Sequence, residues 1–389
     1  MRAPCRGVAC LVVALAAVAS VRTAQVQAAA EAAERPRVEA VFVLDTTGSM
    51  GSLIQAAKEK IWAIANTMAS AKPVPEIRMG LVGYRDRGDA YVTKLTPLTD
   101  DLDAVYSDLM AFRADGGGDG PESVNQALHE AVTRIEWSTD RKTYRVIFLV
   151  GDYPPHMDYD QDVPYPASCK AAATAGISIN TIQCGNHSPT TPVWREIAAN
   201  ADGRFFQVEQ SGGAILADTP FDAELAELSR SLDTTRVYYG SSDVQARQHA
   251  RDALGASLYS EAGAKALAQR AEFNAGKAGA RNFMGEQELV QDLADGKVKL
   301  AEVKDEELPE SLRKLPAEER EKYVQQKAAE RKALQDKIQD LAAKRRAHIE
   351  EQMRKSNAEG KTGFDLAVFE CLKEQAVRAG IQYGDEPTH

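Results

Sequence analysis

Val41-Phe42-Val43-Leu44-Asp45-Thr46-Thr47-Gly48-Ser49-Met50 is an apolar run that ends in a carboxylate, with hydroxyls at alternate positions before a helical pattern begins. Apolar residues without alternation mark a strand covered on both faces, as in parallel sheets. Such a strand delivers its C-terminal end to the crevice where open α/β sheets place their ligands. An Asp and two hydroxyls gathered there offer hard oxygen donors, which suit a divalent cation such as Mg²⁺. No His or Lys stands beside them to make a nucleophile–base pair.

The pattern outward from this strand alternates. Val38–Leu44 is read as a strand, Ser52–Ala69 as a helix with Leu53, Ala57, Ile61, Ile64 and Met68 at helical spacing, and Ile77–Tyr84 as a second strand. Arg87-Gly88-Asp89 sits in the turn of a hairpin into Tyr91–Leu95. The turn accounts for its Gly and Asp without a receptor. A helix over Asp100–Phe112, another opened by Pro121, strands at Val146–Val150, Ile177–Ile182 and Phe205–Val208, and a helix over Pro220–Leu232 complete the series. The expectation is an α/β fold with a doubly wound, mainly parallel, Rossmann-like sheet carrying one antiparallel edge strand, over residues 38–232.

From residue 233 to 389 the pattern is helical only, with a long polar helix near 316–355. Leu334, Ile338 and Leu341 make a seam in it, but Arg331 and Arg345 interrupt the heptads. A coiled coil that self-associates and a hairpin packed on the first domain both fit. The segment Phe364–Ala379 reads as a last helix, ended by Gly380.

Composition narrows the class. The chain has 389 residues, 44% of them hydrophobic, and a net charge of −10, which argues against a nucleic-acid partner. Residues 1–28 read as a signal peptide: Arg2 and Arg6 precede the apolar stretch Val8–Val21, which is shorter than the ~20 residues of a spanning helix. The mature chain is therefore expected to be secreted or periplasmic, with no transmembrane segment. If a disulfide forms in that compartment, Cys169 and Cys184 are the expected pair.

Three loops carry the functional reading: Asp45-Thr46-Thr47-Gly48-Ser49, Gly118-Asp119-Gly120-Pro121-Glu122, and Leu149-Val150-Gly151-Asp152. Together they resemble the metal-ion-dependent adhesion site of von Willebrand factor type A domains, of the type found in bacterial secreted proteins. There an Asp-x-Ser/Thr-x-Ser loop, a second-loop ligand and a third-loop Asp hold Mg²⁺. The resemblance covers residues 38–232 and implies Asp45, Thr47, Ser49, Asp119, Glu122 and Asp152 as the metal set, with Ca²⁺ or Mn²⁺ as substitutes. The second loop is similar to the Asp-x-Pro-Glu of integrin β subunits, which implies a role for Asp119 at a neighbouring cation. Gly117 stands where that version has Asn. From the residues alone, Asp119 is equally a helix N-cap, and Glu122 complements a helix dipole without metal.

The resemblance also implies a function. One coordination position is left for a carboxylate of a protein partner, so the domain binds and does not catalyse. Tyr153, His156 and Tyr159 are candidates for the ligand face. Asp158, Asp160 and Asp162 begin like a calcium loop, but Val163 and Cys169 replace the Gly and Glu such a loop needs. The alternatives are an assembly subunit acting through its helical tail, and a metal-dependent hydrolase using His156.

Overall fold

The computed structural model describes residues 35–118, 120–213, 218–355 and 363–385. The signal-like stretch 1–28 and Asp119 lie outside them. In chain order the α/β part comprises β1 (Arg37–Asp45), α1 (Gly51–Ala69), β2 (Glu76–Tyr84), β3 (Thr93–Thr99), α2 (Leu102–Ala111), α3 (Val124–Thr133), β4 (Thr143–Gly151), α4 (Tyr165–Ala175), β5 (Ile177–Cys184), α5 (Thr190–Asn200) and β6 (Phe205–Val208). The helical part comprises α6 (Asp222–Asp233), α7 (Ser242–Glu261), α8 (Ala264–Ala275), α9 (Ala280–Met284), α10 (Leu289–Ala294), α11 (Glu310–Arg313), α12 (Ala317–Lys355) and α13 (Phe364–Gln375).

The six strands lie in the order β3-β2-β1-β4-β5-β6, all parallel except β3, which runs antiparallel to β2. Chain order proceeds outward in both directions from the β1–β4 pair, so the switch point lies between those two strands. Leu44 pairs with Val150, which brings Asp45 level with Gly151 at the carboxyl edge. The antiparallel strand begins two residues later than the expected Tyr91 and runs on through Pro97. An edge position tolerates a proline, because an N–H facing away from the sheet has no ladder bond to lose.

Each face of the sheet has its own core. Val38, Ala40, Phe42 and Leu44 of β1 pack with α1 and α2, while Val41 and Val43 pack with α3, α4 and α5. The crossover helix α4 went unread in the sequence. The two faces also settle the cysteines. Cys169 lies in the core beneath α4 and Cys184 in the core on the other side, so the expected disulfide is not made, and Cys169, Cys184 and Cys371 are buried free thiols.

The helical part is bound into this frame. On the first face, Phe364, Ala367, Val368, Cys371 and Leu372 of α13 share the core with Phe42, Phe148 and Ile182. Gln375 at its end accepts from the Tyr144 hydroxyl at 2.5 Å and exchanges two hydrogen bonds with Asn180. On this face the stretch 38–232 supplies α1 and α2, and residues 364–375 complete the cover beside them. Elsewhere, buried Arg270 of α8 grips Asp103 of α2 through two 2.6 Å bonds and reaches Ser229 and Asp233 of α6. Asn282 of α9 caps α2 by accepting from the Leu102 and Asp103 amides. The long helix α12 buries Ile338, Leu341 and Arg345 against α6 and α8, and Arg331 pairs doubly with Glu288. Its seam is used within the chain. Among the described residues, no helix is long and apolar enough to cross a membrane.

Candidate functional site

Asp45 ends β1 fully buried, and the chain turns at once into a short 3₁₀ segment, Gly48–Met50, ahead of α1. Its Oδ1 accepts from the Thr47 amide at 2.8 Å and from the Thr47 hydroxyl at 2.6 Å. The Ser49 hydroxyl stands 3.3 Å beyond that of Thr47. The first loop thus lines up one carboxylate and two hydroxyls, with Ser49 exposed at the surface.

The third loop comes alongside because Gly151 has no side chain. A Cβ there would fall 2.3 Å from the Tyr84 hydroxyl and 3.1 Å from Asp45 Cβ. Asp152 follows, buried, with Oδ2 accepting from the Gln210 amide at 2.9 Å. The second loop is drawn in by its glycines. Gly116 and Gly117 both have positive φ, and a Cβ on Gly117 would lie 3.1 Å from both Glu122 Oε1 and Thr47 Cβ. Glu122 is pinned by its amide to Pro154 O and by its carbonyl to the His156 amide.

Asp45, Thr47, Ser49, Glu122 and Asp152 therefore converge; Asp119 is not among the described residues. Asp45 Oδ2, Glu122 Oε2 and Asp152 Oδ1 are buried without a hydrogen-bond partner. Burial raises the Asp45 carboxyl to about 7, against the pull of Thr47 and with repulsion from Asp152. Burial raises Glu122 to about 9, helped by the charges of Asp45, Asp86, Asp89 and Asp152. Buried carboxylates in this state lack a positive charge. Among the described residues no three His, Cys, Asp or Glu side chains form a metal cage by themselves; the donor set here depends on the two hydroxyls. Two hydroxyls and three carboxylates fit a hard cation.

The ligand-face candidates separate. Tyr153 is half-buried, with its ring 4.5 Å from that of His187. His156 is buried, its Nδ1 2.8 Å from Asp158 and its Nε2 3.5 Å from Asp86. Tyr159 stacks on the His156 ring at 4.1 Å and donates to Asp86. Both rings brace the loop. Asp162, the last of the calcium-like series, pairs with Arg87 at 2.6 Å.

Three contributors were missed in the sequence. Asp86 accepts from Ser123 and Tyr159, fixing the start of α3. Asp89 accepts from the Gly117 amide and so holds the second loop. Gln210, from the loop after β6, touches Asp152 and lies 3.4 Å from Ser49 O. The Asp86-x-x-Asp89 turn was visible as a turn; nothing in the sequence marks Gln210.

Residues 39–161 match the family model described as von Willebrand factor A domain. The α/β unit, a six-stranded mixed sheet flanked by helices, has a von Willebrand factor A-like fold, and the family match falls within it. A 198-residue match, 21% identical, relates 47% of the chain to 19% of an ariadne-like RING finger protein of Acanthamoeba polyphaga mimivirus. A 136-residue match, 32% identical, relates 29% of it to 15% of von Willebrand factor A domain-containing protein 7 of Rattus norvegicus. The chain thus spans less than a fifth of the length of these relatives. Among solved structures, the SpRpn10 VWA domain is 15% identical with a TM-score of 0.35, covering 45% of this chain and 89% of that one.

Proposed function

We propose that the three loops hold one Mg²⁺ and that the domain captures a protein partner through a carboxylate of that partner. Domains of this family are in general protein-interaction modules. The observation that carries the cation reading is the set of three buried carboxylate oxygens without partners, next to the Thr47 and Ser49 hydroxyls. Asp45, Thr47, Ser49, Glu122 and Asp152 would hold the ion. When bound, it would supply positive charge and a coordination position open to an incoming carboxylate. Thr47 fixes Asp45, and Gln210 holds one oxygen of Asp152 so that the other faces the site. His156, engaged by Asp158 and Asp86, supports binding over hydrolysis.

Calorimetric titration of the full chain with Mg²⁺ tests the cation. Heat of one site, lost in Asp152→Ala, is expected; no heat at pH 8 refutes the reading. A pull-down with and without EDTA then tests partner capture. We further propose export, on Arg2, Arg6 and the Val8–Val21 run. N-terminal sequencing of the mature chain checks it, and a mature protein still beginning at Met1 refutes it.

A further inference from the structure

Among the described residues the rim around the three loops is acidic, and the cations nearest to it are already engaged. The Asp115 and Asp158 side chains are 81% and 77% exposed, and Asp160 is exposed beside them. Asp115 is tied to the first loop by its amide, which donates to Thr46 O. Asp158 and Asp160 follow His156, whose amide donates to Glu122 O. Behind this rim Asp86 accepts from Ser123 and Tyr159, and Asp89 accepts from the Gly117 amide.

The cations near this rim are fixed in place. Arg85 is buried, lies over the Tyr91 ring, donates to Arg113 O and stands 4.0 Å from the Asp115 carboxylate. Arg87 is held by Asp162 and stacked over Tyr159. Arg113 turns back to the Met110 and Phe112 carbonyls. His156 is enclosed between Asp86 and Asp158. One Mg²⁺ offsets two of the three central carboxylates, so the face stays negative with the ion in place. An isolated carboxylate meets net repulsion on approach at physiological salt, where charges within ~8 Å are felt.

We infer that this face selects a protein segment whose metal-binding Asp or Glu is flanked by lysine or arginine, the flanking cations meeting Asp115, Asp158 and Asp160. The inference rests on the cation-dependent capture proposed above and adds the chemistry of the partner. Each exposed ion pair is worth roughly 1.5- to 5-fold in affinity, so two or three give about tenfold, declining with salt.

The experiment is a display selection on the full-length protein. The probe is a random peptide library with one fixed central aspartate, panned in Mg²⁺ and in EDTA. Lysine and arginine enriched next to the aspartate in Mg²⁺ alone is the expected result. Enrichment in Mg²⁺ without basic flanks overturns this inference and leaves cation-dependent capture standing. No difference between Mg²⁺ and EDTA overturns both. The same selection on Asp115→Lys/Asp160→Lys, with the milder Asp115→Asn/Asp160→Asn as a second variant, is expected to lose the basic preference. Magnesium titration of each variant verifies that the central site is intact, and a preference that persists in both sinks the inference.

Discussion

Stripping divalent cations and raising the pH should unfold this protein in a way that Mg²⁺ reverses. Asp45 titrates near 7 and Glu122 near 9 in the folded chain, both raised first by burial, against about 4 in the unfolded chain. A carboxyl with a raised folded pKa keeps its full contribution below the unfolded value. That contribution is lost as pH climbs through the folded pKa, because folding then retains a charge in a dry site. The window opens near pH 4, and most of Asp45's share is gone by about pH 7. Glu122's share continues to fall towards pH 9. Three pKa units, as for Asp45, amount to about 4 kcal/mol. Against a total of about 5–15 kcal/mol this is large. Urea melts by circular dichroism in EDTA at pH 5.5, 7 and 8.5 should give falling midpoints, restored by Mg²⁺ at pH 8.5. In Asp45→Asn both the slope and the Mg²⁺ response should shrink. Midpoints that are flat or rise with pH in EDTA, or that ignore Mg²⁺ at pH 8.5, refute the reasoning.

Other consequences are local. Asp103 is held below its ordinary range by Arg270 despite burial, so Arg270→Met, which strands that charge, should cost about 3–5 kcal/mol in urea unfolding; Asp103→Asn paired with it should recover part. Gln210→Ala should weaken Mg²⁺ roughly 10-fold by calorimetry and leave the melting midpoint in EDTA nearly unchanged. Deleting residues 356–385 should expose the part of the first face around Phe42, Phe148 and Ile182, read as binding of an apolar dye. Iodoacetamide in denaturant without reductant should alkylate Cys169 and Cys184, as mass spectrometry will show.

How much was legible follows from what each residue needed from afar. The run Val38–Leu44 names its own strand, because burial on both faces leaves no room for alternation. The loops at Asp45, Glu122 and Asp152 could be placed together, because strand ends on one side of a parallel sheet converge by topology alone. The helix α4 escaped notice: its Ala-rich sequence Tyr-Pro-Ala-Ser-Cys-Lys-Ala-Ala-Ala-Thr-Ala carries almost no apolar periodicity. Gln210 was invisible because its role depends on a loop 58 residues beyond Asp152 in the chain. The disulfide was inferred from nearness in sequence, which says nothing about which side of a sheet a residue faces. Docking of α13 was hidden for a related reason: an apolar stripe shows that a helix will be covered, and the covering partner lies across residues 234–363.

That arrangement imposes an order on synthesis. When the ribosome has finished β6, Phe42 and Phe148 still lack Phe364 and its neighbours, and that side of the sheet stays partly uncovered while the intervening helices are made. A nascent chain in that condition is a client for chaperones, and a premature stop before residue 364 would yield a product prone to aggregate. Anyone excising the α/β unit for expression should graft α13 onto β6 through a short linker, since Gly212 O already accepts from the Phe364 amide at 2.9 Å.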